Sequence, residues 1–124
     1  MQHKSMQSFT ELDAWKIGLE FVKEIYVLTK QFPKDELYGL TSQLRRSTVS
    51  VLANLAEGHG RFTYADKANK YTISRGECAE SHALLLIAIS LNYLTKDEAT
   101  PTLLLNQRLG KMVSGLINAA KSHR

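Results

Sequence analysis

This 124-residue chain contains a single cysteine, Cys78, only two prolines and seven glycines. One cysteine excludes an intramolecular disulfide and fits a reducing compartment. So few prolines and glycines disfavour an all-β fold with many tight turns. No apolar run approaches the roughly 20 residues of a membrane span, and the first residues lack the apolar stretch of a signal peptide. We therefore expect a cytoplasmic protein that does not associate with membranes.

Acidic residues are missing from the last quarter of the chain. Residues 1–98 hold equal numbers of basic and acidic side chains, so the formal net charge of +4 is carried by residues 99–124. The four basic residues there are Arg108, Lys111, Lys121 and Arg124. Clustered positive charge attracts phosphates and so indicates polyanion binding. The alternative is that these cations only favour a helix C-terminus and solubility, and for one isolated subunit we favour that alternative.

Apolar residues recur at spacings of three and four along four segments, which is the signature of amphipathic helices. The predicted helices cover about 12–31, 40–57, 64–93 and 97–121. The first is apolar over so much of its circumference that it needs more than one packing partner, either core alone or core plus another subunit. Short connections between helices about 30 Å long predict a single domain over 1–124, an all-α, up-down-up-down four-helix bundle.

Local signals mark the helix ends. Phe32-Pro33 should stop the first helix, and Gly58 sits where a left-handed cap would close the second. The third should begin with the capping box of Thr63 to Asp66. The fourth should start either with a cap over Thr95 to Glu98 or at Thr100-Pro101. Gly76, in the middle of the third helix, predicts close approach of a neighbouring helix.

The second helix has a polar stripe of unusual composition. At about 100° per residue, its polar residues fall within one narrow arc, opposite a leucine- and valine-rich face. A solvated helix face is usually rich in Lys and Glu, whereas this one consists mostly of amides and hydroxyls. This composition therefore favours a specific contact with another part of the protein or with a partner over exposure to solvent. Its residues are Gln43, Arg46, Ser47, Ser50, Asn54 and Glu57.

These features resemble a family of bacterial four-helix-bundle proteins that includes proteins encoded in intervening sequences of large-subunit ribosomal RNA genes. The resemblance spans about Leu12 to Leu116 and is carried by Phe32-Pro33, Tyr38 to Thr41, Gln43 to Ser47, Ser50, Asn54 to Gly58, Gly60-Arg61, Gly76 and Glu80. It implies a homo-oligomeric ring, a pentamer, without enzymatic activity. It also points to a distant relative, the basic pentameric accessory protein of diversity-generating retroelements, which works with a reverse transcriptase and nucleic acid. One departure is Glu77, where the family commonly has a small hydroxyl residue.

No motif for catalysis or cofactor binding is found. His59 and His82 are each preceded three positions earlier by alanine, so the Glu-x-x-His motif of di-iron bundles is missing. Cys78 and His82 are one helical turn apart, but two ligands do not make a zinc site, and Cys78 is expected to be a small buried residue. The glycines around His59 lack the strand-loop-helix context of a phosphate-binding loop. We therefore expect no metal, no cofactor, no enzymatic activity and no small-molecule substrate.

Charged side chains of the second and third helices remain as candidates for a structural network or for nucleic-acid contacts. Arginine can bind a carboxylate bidentately, so a charge-assisted network of Arg46, Asn54, Glu57 and Glu80 is expected to hold these helices together. For Arg45 and Arg61 the sequence favours neither a structural role nor a phosphate contact over the other. The residues assigned to a structural or interface network are Gln43, Arg46, Ser50, Asn54, Glu57 and Glu80. The possible nucleic-acid contacts are Arg45, Arg61, Arg108, Lys111, Lys121 and Arg124.

Two functions are consistent with the sequence. The first is a non-catalytic oligomeric scaffold that binds RNA or DNA, or partners a nucleic-acid enzyme. The second is a protein-interaction or structural module with no nucleic-acid role, which the broad apolar surface of the first helix favours. The self-association partner is in both cases another copy of this chain.

Overall fold

Four long helices make up the chain, which a computed structural model describes over residues 8–123. They are α1 (Asp13–Thr29), α2 (Leu40–His59), α3 (Tyr64–Ser90) and α4 (Lys96–Lys121), with short 3-10 turns at Phe9–Glu11 and Lys34–Glu36. Residues 8–123 contain no strand, so the predicted all-α class is confirmed. None of the helices in that range is both long and apolar enough to cross a membrane.

Successive helices run antiparallel. At one end of the α2–α3 pair, Gly58 lies against Tyr71, and further back along α2, Ser47 bonds to Ser81. Lower residue numbers on α2 thus pair with higher residue numbers on α3, as in an antiparallel pair. Each helix packs against two neighbours, α1 against α2 and α4, and α3 against α2 and α4. The arrangement is consistent with the predicted four-helix bundle.

The apolar stripes of the four helices meet in one core. Full burial of a large apolar side chain stabilises the fold by about 1.5–3 kcal/mol, so these residues dominate the stability of the bundle. The large apolar side chains with no exposed surface are Phe21 and Ile25 of α1, Leu44, Val51 and Leu55 of α2, Leu85 of α3, and Leu109 and Val113 of α4.

The end of α2 differs from its prediction. The helix continues through Gly58 to His59, and no glycine in residues 8–123 has a positive φ, so the prediction of a left-handed cap at Gly58 is wrong. Gly58 is instead buried against α3, where a Cβ would lie 2.6 Å from Cε1 of Tyr71. The glycine is needed for close helix packing and not for a turn.

Gly76 shows the reverse. The prediction of a neighbouring helix beside it is wrong, because no atom of another segment lies within 4 Å of the position its Cβ would take. Close approach occurs at other glycines. A Cβ on Gly18 would collide with Leu52, and one on Gly110 would press on Arg75.

Capping explains where α3 and α4 begin and end. The Thr63 hydroxyl accepts a hydrogen bond from the Asp66 N–H at 3.0 Å, so α3 begins as predicted. It ends earlier than predicted, at Ser90, and Asn92 then adopts φ 64°, a left-handed conformation that asparagine tolerates. A complete capping box at Thr95 starts α4, and Pro101 lies inside the helix. The first of the two predicted starts is therefore confirmed.

Glu36 joins the α1–α2 connection to two helix ends. Its carboxylate accepts the backbone N–H of Leu40 at 2.9 Å and the hydroxyl of Tyr93 at 2.7 Å. The first bond serves the N-terminus of α2, where unpaired backbone donors need a partner. Both bonds favour the ionised form, first that from Leu40 and then that from Tyr93, and they lower the pKa of Glu36 below 4.5.

Candidate functional site

The polar stripe of α2 faces α3 and forms a polar seam between the two helices. Ser47 and Ser81 are fully buried there, with their hydroxyl oxygens 2.7 Å apart. Next along the seam, the Ser50 hydroxyl donates to Oε2 of Glu77 at 3.0 Å, and the buried Ser74 donates to the carbonyl of Val51. We call the five polar side chains the α2–α3 seam, namely Ser47, Ser50, Ser74, Glu77 and Ser81. Each of its hydroxyls is bonded to another seam side chain or to a backbone carbonyl, which accounts for hydroxyls where a solvated face would carry Lys and Glu.

The charged residues of the stripe form two separate ion pairs instead of the single network expected. Arg46 Nη2 lies 3.3 Å from Oε2 of Glu80, and the two side chains are 62% and 42% exposed. Glu57 pairs with Lys70 at 2.8 Å, and this hydrogen bond and the charge of Lys70 lower the pKa of Glu57. Exposed pairs of this kind contribute about 0–1 kcal/mol. Within the single chain, Arg46 and Glu57 thus bind different partners, Glu80 and Lys70.

The two amides of the predicted network do not cross to α3. Asn54 donates to the carbonyl and hydroxyl of Ser50, one turn back along the same helix. Gln43 is exposed in the first turn of α2. Asn54 thus supports the seam indirectly by holding Ser50, whereas Gln43 lies outside it.

Glu77 is a seam residue that the list of candidates omitted. It occupies the position where the resemblance leads one to expect a small hydroxyl, and its Oε2 accepts the Ser50 hydrogen bond. Its Oε1 is buried and has no hydrogen-bond partner within the described residues. The departure from the family pattern was the sequence signal for this residue.

Arg45 serves the contact between α1 and α2. Its Nε donates to the hydroxyl of the buried Thr29 at 2.8 Å, and its guanidinium lies 4.6 Å from the centre of the Tyr26 ring. Both contacts hold the guanidinium against its own bundle. Tyr26 is 39% exposed and stacks with Arg45 at the surface of the bundle. Trp15 is partly buried against the core.

The other predicted nucleic-acid contacts lie at the surface. Arg61 is exposed just after α2, and Arg108 and Lys111 are exposed on α4. Lys121 is exposed in the last turn of α4. The prediction for Arg124 falls outside the described residues. Arg108 and Lys111 are therefore on one helix, whereas Arg61 lies in the connection between α2 and α3.

A concave groove of about 640 Å³ lies between α3 and α4. Three of its lining residues are basic or can become so, namely Arg75, His82 and Lys111, and its lining contains no carboxylate. Arg75 was not predicted as a candidate. Its position in the middle of α3, beside a glycine and a glutamate, carries no motif, and only the approach of Gly110 on α4 makes it part of a groove.

Cys78 and His82 differ in environment despite their helical spacing. Cys78 is buried, and this burial raises the pKa of its thiol to about 11. His82 is exposed and lines the groove. Within residues 8–123 no three His, Cys, Asp or Glu side chains are grouped as metal ligands would be. Cys78 is a buried packing residue, as expected.

Large apolar side chains are exposed at several points on the surface. Phe62, between α2 and α3, is 100% exposed, and Tyr38, before α2, is 93% exposed. Val27 of α1 is 64% exposed. Exposed apolar residues of this size mark contact surfaces when they cluster. On α1 itself Val27, Leu19 and Tyr26 are exposed, so the core covers the broad apolar circumference of α1 only in part.

These features define an all-α, four-helix protein whose polar seam is structural and whose basic residues face outward. Residues 10–115 match the family model described as "23S rRNA-intervening sequence protein". The chain belongs to that family, and the resemblance stated from its motifs is confirmed. A solved structure from Bacteroides thetaiotaomicron VPI-5482, a protein with unknown function from the S23 ribosomal protein family, is similar to it. The two share 25% identity with a TM-score of 0.77, over 84% of this chain and 97% of the other. Among curated proteins there was no match.

Proposed function

We propose that this protein is a non-catalytic helical scaffold that binds nucleic acid, RNA or DNA, or partners an enzyme that does so. The observation that carries the proposal is the basic surface of α4 beyond its first turn, which holds Asp97 and Glu98. Arg108 and Lys111 are exposed there, and residues 99–124 contain no Asp or Glu. Positive charge without neighbouring carboxylates is free to attract phosphates. The family name refers to a ribosomal RNA gene, which is compatible with this reading.

Self-association would strengthen such binding. We propose a homo-oligomer, specifically the pentameric ring that the family resemblance implies. Five copies of the +4 chain would present a surface of about +20, and electrostatic attraction rises with the number of phosphates neutralised. The exposed Val27, Tyr38 and Phe62 supply apolar surface for contacts between subunits. Native mass spectrometry would show a species of five chains, and a monomer at micromolar concentration would contradict the ring.

Binding is tested by titrating the full chain against a fluorescein-labelled single-stranded RNA and against a labelled DNA duplex. Fluorescence anisotropy at two salt concentrations gives the affinity and its salt dependence. The proposal predicts binding at low salt that weakens steeply as salt rises, because counterions are released from the phosphates. No binding of either nucleic acid at low salt by the assembled protein would overturn it.

The second candidate is a protein-interaction or structural module without a nucleic-acid role. The full exposure of Phe62 and the near-full exposure of Tyr38 favour it, because aromatic side chains are enriched at protein interfaces. Affinity purification from the native host, with and without nuclease, separates the candidates. A protein partner retained after nuclease treatment supports this second function, and a partner lost with the nucleic acid supports the first.

A further inference from the structure

The groove between α3 and α4 has the dimensions of a channel for a chain-like ligand. Along α4 its lining extends from Thr100 to Lys111, and along α3 from Arg75 to His82. At 1.5 Å per residue these stretches measure about 16 Å and about 10 Å. The groove is open to solvent along its length and has a volume of about 640 Å³.

The chemistry of the lining is that of an oxyanion site. Arg75, His82 and Lys111 supply positive charge or hydrogen-bond donors, and Gln107 adds a side-chain amide. The carboxylates of α3 nearest to the groove in sequence are directed elsewhere. Glu77 accepts from Ser50 of α2 and Glu80 pairs with Arg46 of α2. The lining itself therefore carries basic side chains and no carboxylate.

Arg75 is held ready for a ligand. Its Nε donates to the Ser114 hydroxyl at 3.0 Å, and its guanidinium lies across Gly110, where a Cβ would be 3.3 Å from Cζ. The ion pairs in residues 8–123 involve Arg46 and Lys70 and not Arg75. An arginine fixed through Nε keeps its terminal nitrogens for a bidentate contact and loses less freedom when an oxyanion binds.

We propose that this groove binds the phosphodiester backbone of a single-stranded nucleic acid, with Arg75 and Lys111 as the principal contacts. The inference rests on the proposed function and assigns it a site. Arg75 and His82 are about 10 Å apart along the helix, so an isolated phosphate cannot reach both, whereas successive phosphates of one strand can. Leu104, which is 60% exposed at the groove, offers an apolar surface on which a base can lie.

The test compares variants of the full chain in binding a fluorescein-labelled oligouridine. Arg75→Gln should weaken binding about tenfold, the usual loss for a hydrogen bond to a charged group. Lys111→Gln should weaken it and lower the slope of log affinity against log salt by about 0.7, the value for one single-strand phosphate contact. Lys16→Gln, which removes one exposed positive charge from α1, is the matched control and should bind within twofold of wild type.

Gly110→Ala provides a second test, because it displaces the Arg75 guanidinium without changing any charge. It should also weaken binding, and circular dichroism of each variant verifies that the helices are intact. Equal losses for Arg75→Gln and Lys16→Gln would overturn the groove as the site while leaving the proposed function standing. Wild-type protein that fails to bind oligouridine at low salt would overturn both. Displacement of oligouridine by polyglutamate at lower concentration than by unlabelled oligouridine would overturn the assignment to nucleic acid.

Discussion

At the scale of single residues, Gly58 and Gly76 have opposite surroundings. A Cβ on Gly58 would lie 2.6 and 2.8 Å from atoms of the buried Tyr71 ring, whereas one on Gly76 would meet nothing within 4 Å. Gly58→Ala should therefore lower the free energy of unfolding by about 1–3 kcal/mol through overpacking. Gly76→Ala should raise it by about 0.5–1 kcal/mol, because alanine loses less backbone entropy in a helix.

Urea unfolding of the two variants beside wild type gives both free energies. The variants carry the same chemical change in adjacent helices and serve as each other's control. Destabilisation by Gly76→Ala would contradict the open surroundings of that residue. A neutral Gly58→Ala would contradict the close packing of α2 on α3.

Single residues also show where sequence reasoning fails. A glycine pattern does not reveal which glycine touches a neighbour, because the contact depends on the rotation of each helix about its axis. The expectation for Gly76 was wrong for this reason, and the close approach occurs at Gly18, Gly58 and Gly110 instead. Burial of Cys78, in contrast, followed from residue type alone.

At the scale of helices, hydrogen bonds from serine hydroxyls hold the α2–α3 seam more than ion pairs do. Ser47→Ala and Ser81→Ala should each lower the free energy of unfolding by about 1 kcal/mol. The double variant should cost less than the two single losses combined, because both remove the same buried 2.7 Å contact. A double-mutant cycle by urea unfolding measures this coupling, and strict additivity would contradict it.

Arg46→Ala is the comparison for a charged stripe residue. Its pair with Glu80 is largely exposed, so its loss should change the free energy of unfolding by only about 0–1 kcal/mol. A loss of several kcal/mol would mean that the pair is buried in the assembled protein. It would also support the charge-assisted network expected from the sequence.

The Glu36 junction makes the α2 N-terminus sensitive to acid. The pKa of Glu36 is lowered from 4.5 by the N–H of Leu40 and the hydroxyl of Tyr93, so the unfolded chain binds this proton more readily than the folded chain. The stabilisation is therefore complete above pH 4.5 and is lost as the pH falls through 4.5 and then through the lowered pKa.

Glu36→Gln should accordingly be less stable than wild type at neutral pH and should lose less stability on acidification. Thermal unfolding followed from neutral to acid pH shows the two curves converging. Glu20→Gln, which removes one exposed carboxylate from α1, is the matched control. Parallel curves for Glu36→Gln and wild type would refute the role of Glu36.

Helices were predictable because their signals are local. Apolar periodicity placed all four, and the Thr63 and Thr95 caps placed the starts of α3 and α4. The ends of α2 and α3 were not predictable to the residue, because they depend on distant partners. Tyr71 on α3 allows α2 to continue through Gly58, and Tyr93 turns back to reach Glu36.

At the scale of the whole molecule, structural and surface charges occupy different places. Two ion pairs neutralise basic and acidic residues across the α2–α3 interface, whereas Arg75 and Lys111 line the groove between α3 and α4. Charge counting identified Arg108 and Lys111 from the acid-free last quarter. Charge counting did not identify Arg75, because that residue lies in the charge-balanced part of the sequence. It comes into the same groove as Lys111 only when α3 packs on α4.

The central claim is that the polar stripe of α2 is structural and that the basic groove between α3 and α4 binds nucleic acid. Its most direct test is the affinity of two double variants for the same labelled single-stranded RNA. Arg75→Gln with Lys111→Gln should bind at least about tenfold more weakly than wild type, since two phosphate contacts are lost. Arg46→Gln with Lys70→Gln removes as many positive charges from the α2–α3 side and should bind within twofold of wild type. An equal or larger loss in the second variant would contradict the account.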